Sequence, residues 1–192
     1  MRGQRGGSRR LRIIAGKWRG RTLTFADHPA IRPTPDRVRE TLFNWLQPTI
    51  SGLRCLDLFA GSGALGLEAL SRGAARVDFV EQDRVSAERI REHLQLLEAD
   101  EGQVYRQEAL SFLAQADCSD YDLIFLDPPF SQGLLERTLQ GLEEKRCNPT
   151  AQLYLEMEQG LEGKILPAGW QVTRSGKAGQ VRYQLVQPRI LS

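Results

Sequence analysis

The sequence predicts an open α/β fold, a mostly parallel sheet with helices on both faces. Two observations predict it. Short apolar runs alternate with stretches of helical period from Leu53 onward, and a glycine-rich turn joins the first run to the first helix. A third observation sets its end: the last two β-patterned runs are separated only by a turn, so they read as an antiparallel pair.

In order, Cys55–Phe59 reads as a short buried strand, Ala64–Leu70 as a helix and Val77–Val80 as a second strand. Val85–Leu97 is an amphipathic helix, Val104–Tyr105 a third strand and Leu110–Ala114 a short helix. Tyr121–Leu126 is a strongly apolar fourth strand, Leu134–Leu142 a helix and Leu153–Met157 a fifth strand. Trp170–Arg174 and Val181–Val186 close the chain, with Gly176 and Gly179 between them. Ahead of this pattern, residues 1–10 lack apolar periodicity and are expected to form a disordered basic arm. Leu11–Ala15 and Arg21–Phe25 read as a hairpin punctuated by Gly16 and Gly20. A loop with Pro29, Pro33 and Pro35 follows. Asp36 is the expected N-cap of a helix over 37–46, where Val38, Leu42, Trp45 and Leu46 recur at helical spacing. The division is thus an arm (1–10), an N-terminal hairpin and helix extension (11–50) and an α/β domain (51–192).

Composition narrows the function. With 41% hydrophobic and 26% charged residues, the chain is an ordinary globular one. No apolar run approaches the roughly 18 residues of a membrane span, and the N-terminus lacks the apolar core of a secretory signal, so the cytoplasm is expected. Cys55, Cys118 and Cys147 form no CxxC pair, and His28 and His93 are the only histidines. A zinc or other metal centre, a disulfide framework and a Ser-His-Asp triad are therefore not expected. The net charge of +2 conceals an asymmetry. Arg2, Arg5, Arg9, Arg10, Arg12, Lys17, Arg19, Arg21, Arg32, Arg37 and Arg39 face only Asp27 and Asp36 in the first 39 residues, and the remainder is net acidic. Such a segment suits a polyanion, because each neutralised phosphate releases counterions; a solvated tail is the plainer reading.

The turn after the first strand reads Asp57-Leu58-Phe59-Ala60-Gly61-Ser62-Gly63-Ala64-Leu65-Gly66. Gly61, Gly63 and Gly66 form GxGxxG, and Glu81 lies twenty residues after Gly61, where an acid can accept ribose hydroxyls. A dinucleotide site and a ligand-free turn both compete. Asp57 favours S-adenosylmethionine, because a carboxylate there repels a pyrophosphate and suits a cationic amine and sulfonium.

The fourth strand ends in Asp127-Pro128-Pro129-Phe130. Ligands of open α/β sheets bind at the carboxyl ends of the strands, so this turn and the glycine loop share a crevice. Prolines remove backbone donors and Asp127 adds acceptors, which fits an exocyclic NH2 group. Phe130 offers a stacking face to a base. Acceptors that bind both amino hydrogens localise the nitrogen lone pair for in-line attack on a methyl. A turn that merely ends a strand is the structural alternative.

At these residues the chain resembles class I methyltransferases with a [DN]-P-P-[FYW] motif. Arg12-Ile13-Ile14-Ala15-Gly16-Lys17-Trp18-Arg19-Gly20-Arg21 and Arg32-Pro33-Thr34-Pro35-Asp36-Arg37-Val38-Arg39-Glu40-Thr41-Leu42-Phe43-Asn44-Trp45-Leu46 resemble the RsmD-type 16S rRNA guanine-N2-methyltransferases, over residues 11–187. The resemblance implies a Rossmann-like, seven-stranded sheet with the last pair antiparallel. It implies methylation of N2 of guanine 966 in 16S rRNA of an assembled small subunit, with S-adenosylmethionine as methyl donor; a monomer without a metal is expected. It assigns Asp127, Pro128, Pro129 and Phe130 to the target base. It assigns Asp57, Phe59, Ala60, Gly61, Gly63, Glu81, Gln82, Glu108, Ala109, Arg32 and Thr34 to the cofactor, Glu108 standing where the family usually has Asp or Asn. RNA contacts are expected from Arg9, Arg10, Arg12, Lys17, Trp18, Arg19, Arg21 and Arg37. Trp18 reads equally as a base-stacking or a packing residue, Trp45 as core and His93 as solvated; Lys177 and Arg182 are candidate phosphate contacts. DNA adenine-N6 and glutamine-N5 methylation, a nicotinamide-dependent oxidoreductase and a non-catalytic RNA-binding assembly factor remain the alternatives.

Overall fold

The computed structural model describes residues 8–26, 34–130, 133–143, 145, 147–161, 165–166 and 168–189. Arg2, Arg5, His28 and Arg32 lie outside them. The elements are β1 (Ser8–Arg12), β2 (Thr22–Ala26), α1 (Asp36–Leu46), β3 (Arg54–Asp57), α2 (Ala64–Ser71), β4 (Arg76–Val80), α3 (Arg84–Leu97), β5 (Gly102–Tyr105), α4 (Ala109–Gln115), β6 (Leu123–Leu126), α5 (Leu134–Glu143), β7 (Gln152–Glu158), β8 (Trp170–Ala178) and β9 (Val181–Pro188). The main sheet has the order β5-β4-β3-β6-β7-β9-β8. β3 to β7 pair in parallel, and β9 runs antiparallel to both β7 and β8. This is the class I methyltransferase architecture. None of the described helices is long and apolar enough to cross a membrane.

Alternation along each strand divides the core in two. Cys55, Val77, Phe79, Phe125 and Tyr154 pack under α1, α2, α3 and the β1–β2 hairpin. Leu56, Val80, Ile124, Leu126, Leu153 and Leu155 pack under α4 and α5. All eight residues of α2 are buried. Gly66 is what lets this helix close on the sheet, since a Cβ there would lie 2.2 Å from the Phe79 ring.

The hairpin does not hang free. Leu11, Ile13, Leu23 and Phe25 are buried against the body. Its turn meets the C-terminal end of α2: the Lys17 and Trp18 N–H groups donate to the Ser71 carbonyl and hydroxyl at 2.6 and 3.0 Å. Gly16 approaches so closely that a Cβ would lie 1.8 Å from the Ser71 carbonyl oxygen. The Glu68 carboxylate completes the junction, accepting from the Ile14 and Ala15 N–H groups at 2.8 and 3.0 Å and from Arg72 Nε at 2.7 Å. Arg39, fully buried, places Nη1 3.9 Å from Glu68 and donates through Nη2 to the Arg12 carbonyl.

Several expectations are corrected here. β1 begins at Ser8, because Arg9 and Arg10 pair with Phe25 and Thr24, so these two arginines belong to a strand and not to a disordered arm. Ile13 to Ala15 lie in the turn. Asp36 is the first helical residue; Pro35 holds the cap position, with no side-chain cap bond, and Asp36 pairs with Arg39. His93 is buried, not solvated, with Nε2 3.0 Å from the Thr24 carbonyl oxygen. Trp18 is only 6% exposed and packs in the core, with Lys17 Nζ 5.3 Å from its ring centroid, so it presents no face to a base. Trp45 is half-buried and stacks on Tyr183 at 5.5 Å.

Removing Glu68 takes the carboxylate partner from buried Arg72, the nearest buried acid from Arg39 and the acceptor from two backbone donors. Glu68→Ala should therefore cost about 3–5 kcal/mol, the range for breaking a buried ion pair from one side. Urea unfolding of both proteins measures it, and a loss below about 1 kcal/mol, typical of an exposed pair, would show that the junction is peripheral.

Candidate active site

The site lies where β3, β4, β6 and β7 present their carboxyl ends. Strand order reverses around β3, whose neighbours β4 and β6 are reached by chain running in opposite directions, and this opens the crevice. The loop from Leu58 to Gly63 straddles it. The Leu58 N–H donates to the Phe125 carbonyl at 3.2 Å and the Ala60 N–H to the Val80 carbonyl at 3.0 Å. Gly61 and Gly63 adopt φ of 53° and 77°, the left-handed region that favours glycine. Phe59 is half-buried and Ala60 buried.

Two acids shape this loop. Glu81, at the end of β4, accepts from the Gly61 N–H at 2.8 Å and from the Asp83 N–H at 2.7 Å. Burial raises its pKa against those bonds. Each of its oxygens has a further lone pair for a ribose hydroxyl. Asp57, only 2% exposed, accepts from the Gly66 N–H at 3.0 Å. Burial outweighs that bond and, with the nearby Glu81 charge, pushes its pKa up to about 7. Gln82 is exposed beside Glu81. Glu108 caps α4, accepting from the Ser111 N–H at 2.7 Å, and Ala109 opens that helix, buried.

Asp127 follows β6 directly. Its Oδ2 accepts from the Thr34 hydroxyl at 3.1 Å. Burial raises its pKa well above the ordinary carboxylate value, and the Glu156 and Asp57 charges add to this against the Thr34 bond. Pro128 is buried, Pro129 exposed and Phe130 half-buried. Asp57 is in register with Phe125, and Phe125 with Tyr154. Asp127 and Glu156 each lie two residues further on, so the pleat puts all three carboxyls on one face of three adjacent strands. The result is an edge dense in acceptors.

The structure thus brings Asp57, Gly61, Gly63, Glu81 and Asp127 together at the carboxyl ends of β3, β4 and β6, with Phe130 three residues beyond Asp127. Thr34 arrives as a partner of Asp127 and not of the glycine loop. The hairpin cations divide. Arg21 reaches the Leu96 carbonyl and Thr24 lies at His93, so the hairpin climbs α3 from its C-terminal end. Lys17, Trp18, Arg19 and Arg21 therefore sit at the end of α2 remote from the loop, about 12 Å away by helical rise alone. Arg10 and Arg12 are exposed on β1, and Arg37 is exposed one turn from Thr34. Sequence reading missed Tyr154 and Glu156. The available signal was an acid between Leu155 and Met157 in an otherwise apolar strand.

The family described as Conserved hypothetical protein 95 matches residues 11–187. The chain is 48% identical over 182 residues to Ribosomal RNA small subunit methyltransferase D of Escherichia coli K12, covering 94% of this chain and 91% of the relative. It is 44% identical over 181 residues to the Haemophilus influenzae protein of the same name, covering 92% and 93%. A candidate methyltransferase from Escherichia coli, yhhF, has a solved structure that matches with a TM-score of 0.85 at 47% identity, over 94% of this chain and 99% of that one.

The raised Asp57 pKa has a stability consequence. Between its ordinary 3.8 and about 7, the folded protein holds a proton that the unfolded chain releases. Stability from this group therefore falls as pH rises through that window, by up to about 1.4 kcal/mol per pH unit, and is flat above it. Asp57→Asn should keep an acceptor for Gly66 and remove this slope. Unfolding free energies at pH 5 and 8 test it; an unaltered difference between the two pH values would place the titration elsewhere.

Proposed function

The chain belongs to the family described as Conserved hypothetical protein 95, the RsmD-type methyltransferases, and from that premise we propose that it methylates ribosomal RNA at the exocyclic N2 of one guanine, position 966 of 16S rRNA. The observation that carries the reading is Asp127, an acceptor held by Thr34 beside the glycine loop, in a turn whose prolines offer no competing N–H. A site built this way suits an amino group with two hydrogens to donate.

The residues present fit S-adenosylmethionine. The left-handed glycines Gly61 and Gly63 leave backbone open to its methionine part, Glu81 has lone pairs for the ribose hydroxyls, and Asp57 places an acid near a cationic ammonium. When bound there, S-adenosylmethionine supplies an electrophilic methyl group. The protein's own work is on the amine. Asp127 and neighbouring carbonyls accept its hydrogens and draw the nitrogen toward tetrahedral geometry, and the acceptors gain value as positive charge develops. Phe130 stacks the base. Arg10 and Arg37 contact phosphate, with the small ribosomal subunit in the cytoplasm as the substrate particle and a monomer as the active form.

The decisive experiment incubates the protein and labelled S-adenosylmethionine with unmodified small subunits, then digests the RNA. Labelled N2-methylguanosine is the expected product. Labelled N6-methyladenosine would overturn the guanine assignment, and no label in RNA would overturn the reading itself.

Asp127→Ala should lower kcat by roughly 10²–10³, comparable to deleting one oxyanion-hole donor, with little change in cofactor affinity. Phe130→Ala should lose about 1–3 kcal/mol of stacking, and Phe130→Tyr should retain it. Single-turnover transfer and cofactor titration on these variants decide the matter; wild-type transfer by Asp127→Ala would make the turn purely structural.

The phosphate contacts should depend on place. Arg10→Ala with Arg37→Ala should reduce the slope of log K against log salt by about 0.7–0.9 per lost contact. Lys17→Ala with Arg19→Ala, at the remote end of α2, should leave it nearly unchanged. Equal effects from both pairs would mean that RNA covers the whole hairpin.

A further inference from the structure

β7 carries two side chains, beyond those used so far, into the row of carboxyls. Glu156 is 4% exposed and Tyr154 fully buried, and the Tyr154 hydroxyl donates to Glu156 Oε1 at 2.7 Å. Register places Glu156 beside Asp127 across the β6–β7 pairing, and the Thr34 side chain, which bonds Asp127 Oδ2 at 3.1 Å, is close enough to act on the Glu156 carboxyl as well. A threonine hydroxyl has one hydrogen. It can donate to one of the two acids and must accept from the other, so the bridge is satisfied when the pair holds one proton. Among the described residues, the titratable groups that act on this pair are acidic or neutral: Asp57 from β3, Tyr154 on β7 itself and Tyr183 from β9. None of these supplies a positive charge that would let both acids ionise.

We propose that Glu156 is a positioning residue that shares a single proton with Asp127 through the Thr34 hydroxyl, and holds that proton when Asp127 binds the amino group. The proposal rests on the methyl-transfer reading. Amino hydrogens favour an anionic Asp127. The proton then passes from Asp127 to Thr34 Oγ1 while the Thr34 hydrogen passes to Glu156. As the nitrogen–carbon bond forms, the sulfur–carbon pair returns to sulfur and the nitrogen carries an extra proton. Asp127 takes that proton and gives it up to solvent when product leaves, so no further reactant is required. Burial holds both carboxyls above their ordinary range, and the Glu156 charge adds to it at Asp127.

The test reads the pair directly. Carbon-13 carboxyl shifts of the ligand-free protein are followed against pH in wild type and Glu156→Gln, which keeps an acceptor for Tyr154 but cannot ionise. Removing the Glu156 charge should lower the Asp127 midpoint by about one pH unit or more, the mark of an interacting pair. The acid limb of the single-turnover rate should move to lower pH with it, while the KM for S-adenosylmethionine stays unchanged. Asp127→Asn should lower the Glu156 midpoint reciprocally, which serves if Glu156→Gln does not fold. An unmoved midpoint in whichever variant folds would overturn the proposal. Absence of methyl transfer by wild type would instead defeat the parent reading, and the carboxyl titration would still report on the pair.

Discussion

Glu68 is the constraint on which the arrangement turns. It sits in α2, a helix with no solvent face, so its charge had to be met from within the protein. The partners it gathers come from three places: the hairpin turn through Ile14 and Ala15, α1 through Arg39 and α2 itself through Arg72. One buried carboxylate thereby makes the N-terminal extension and the α/β body a single packed unit. The consequence reaches the crevice at both ends of that chain of contacts. The same α2 begins at the glycine loop, and α1 begins two residues after Thr34. An element that reads as an appendage in the sequence is the support for Asp127.

The sheet was legible because its signals are local. Apolar runs with alternating helices, the glycine turn and the Asp-Pro-Pro-Phe strand end each fix an element from a few residues, and the element order follows the sequence reading to within a few residues at each end. What the sequence misplaced or left open shares a different cause. His93, Trp18 and Arg39 carry polar or amphipathic side chains, and each is buried by a partner far along the chain: Thr24 for His93, α2 for the turn that holds Trp18, Glu68 and Arg12 for Arg39. Residue type alone assigns such side chains to the surface. Ser8 to Arg10 were misplaced for a related reason. Their strand is defined by its pairing with Thr24 to Ala26 and not by any apolar pattern of its own.

The same limit explains the division within the site. Asp57, Gly61, Gly63, Glu81 and Asp127 belong to short motifs whose meaning is carried by spacing, and the crevice collects them. Glu156 has no motif, and the segment that holds Thr34 suggests the cofactor where the structure gives Asp127 as its partner. Thr34 and Glu156 meet Asp127 from opposite directions, one from the extension and one from the next strand. Only the parallel pairing of β6 with β7 makes Glu156 its neighbour.

Topology also accounts for the chemistry of that edge. Residues 57, 127 and 156 are remote in sequence, yet β3, β6 and β7 are adjacent because strand order reverses at β3. Parallel pairing then puts three acids at one end of the sheet, and the pleat puts them on one face. Like charges so placed resist full ionisation, and burial adds to that resistance. The row therefore offers acceptor atoms in number while its formal charge stays low. A site with strong anionic charge would repel an RNA strand, and a neutral apolar one would leave an amino group unpaired. Carboxyls that resist full ionisation meet both demands.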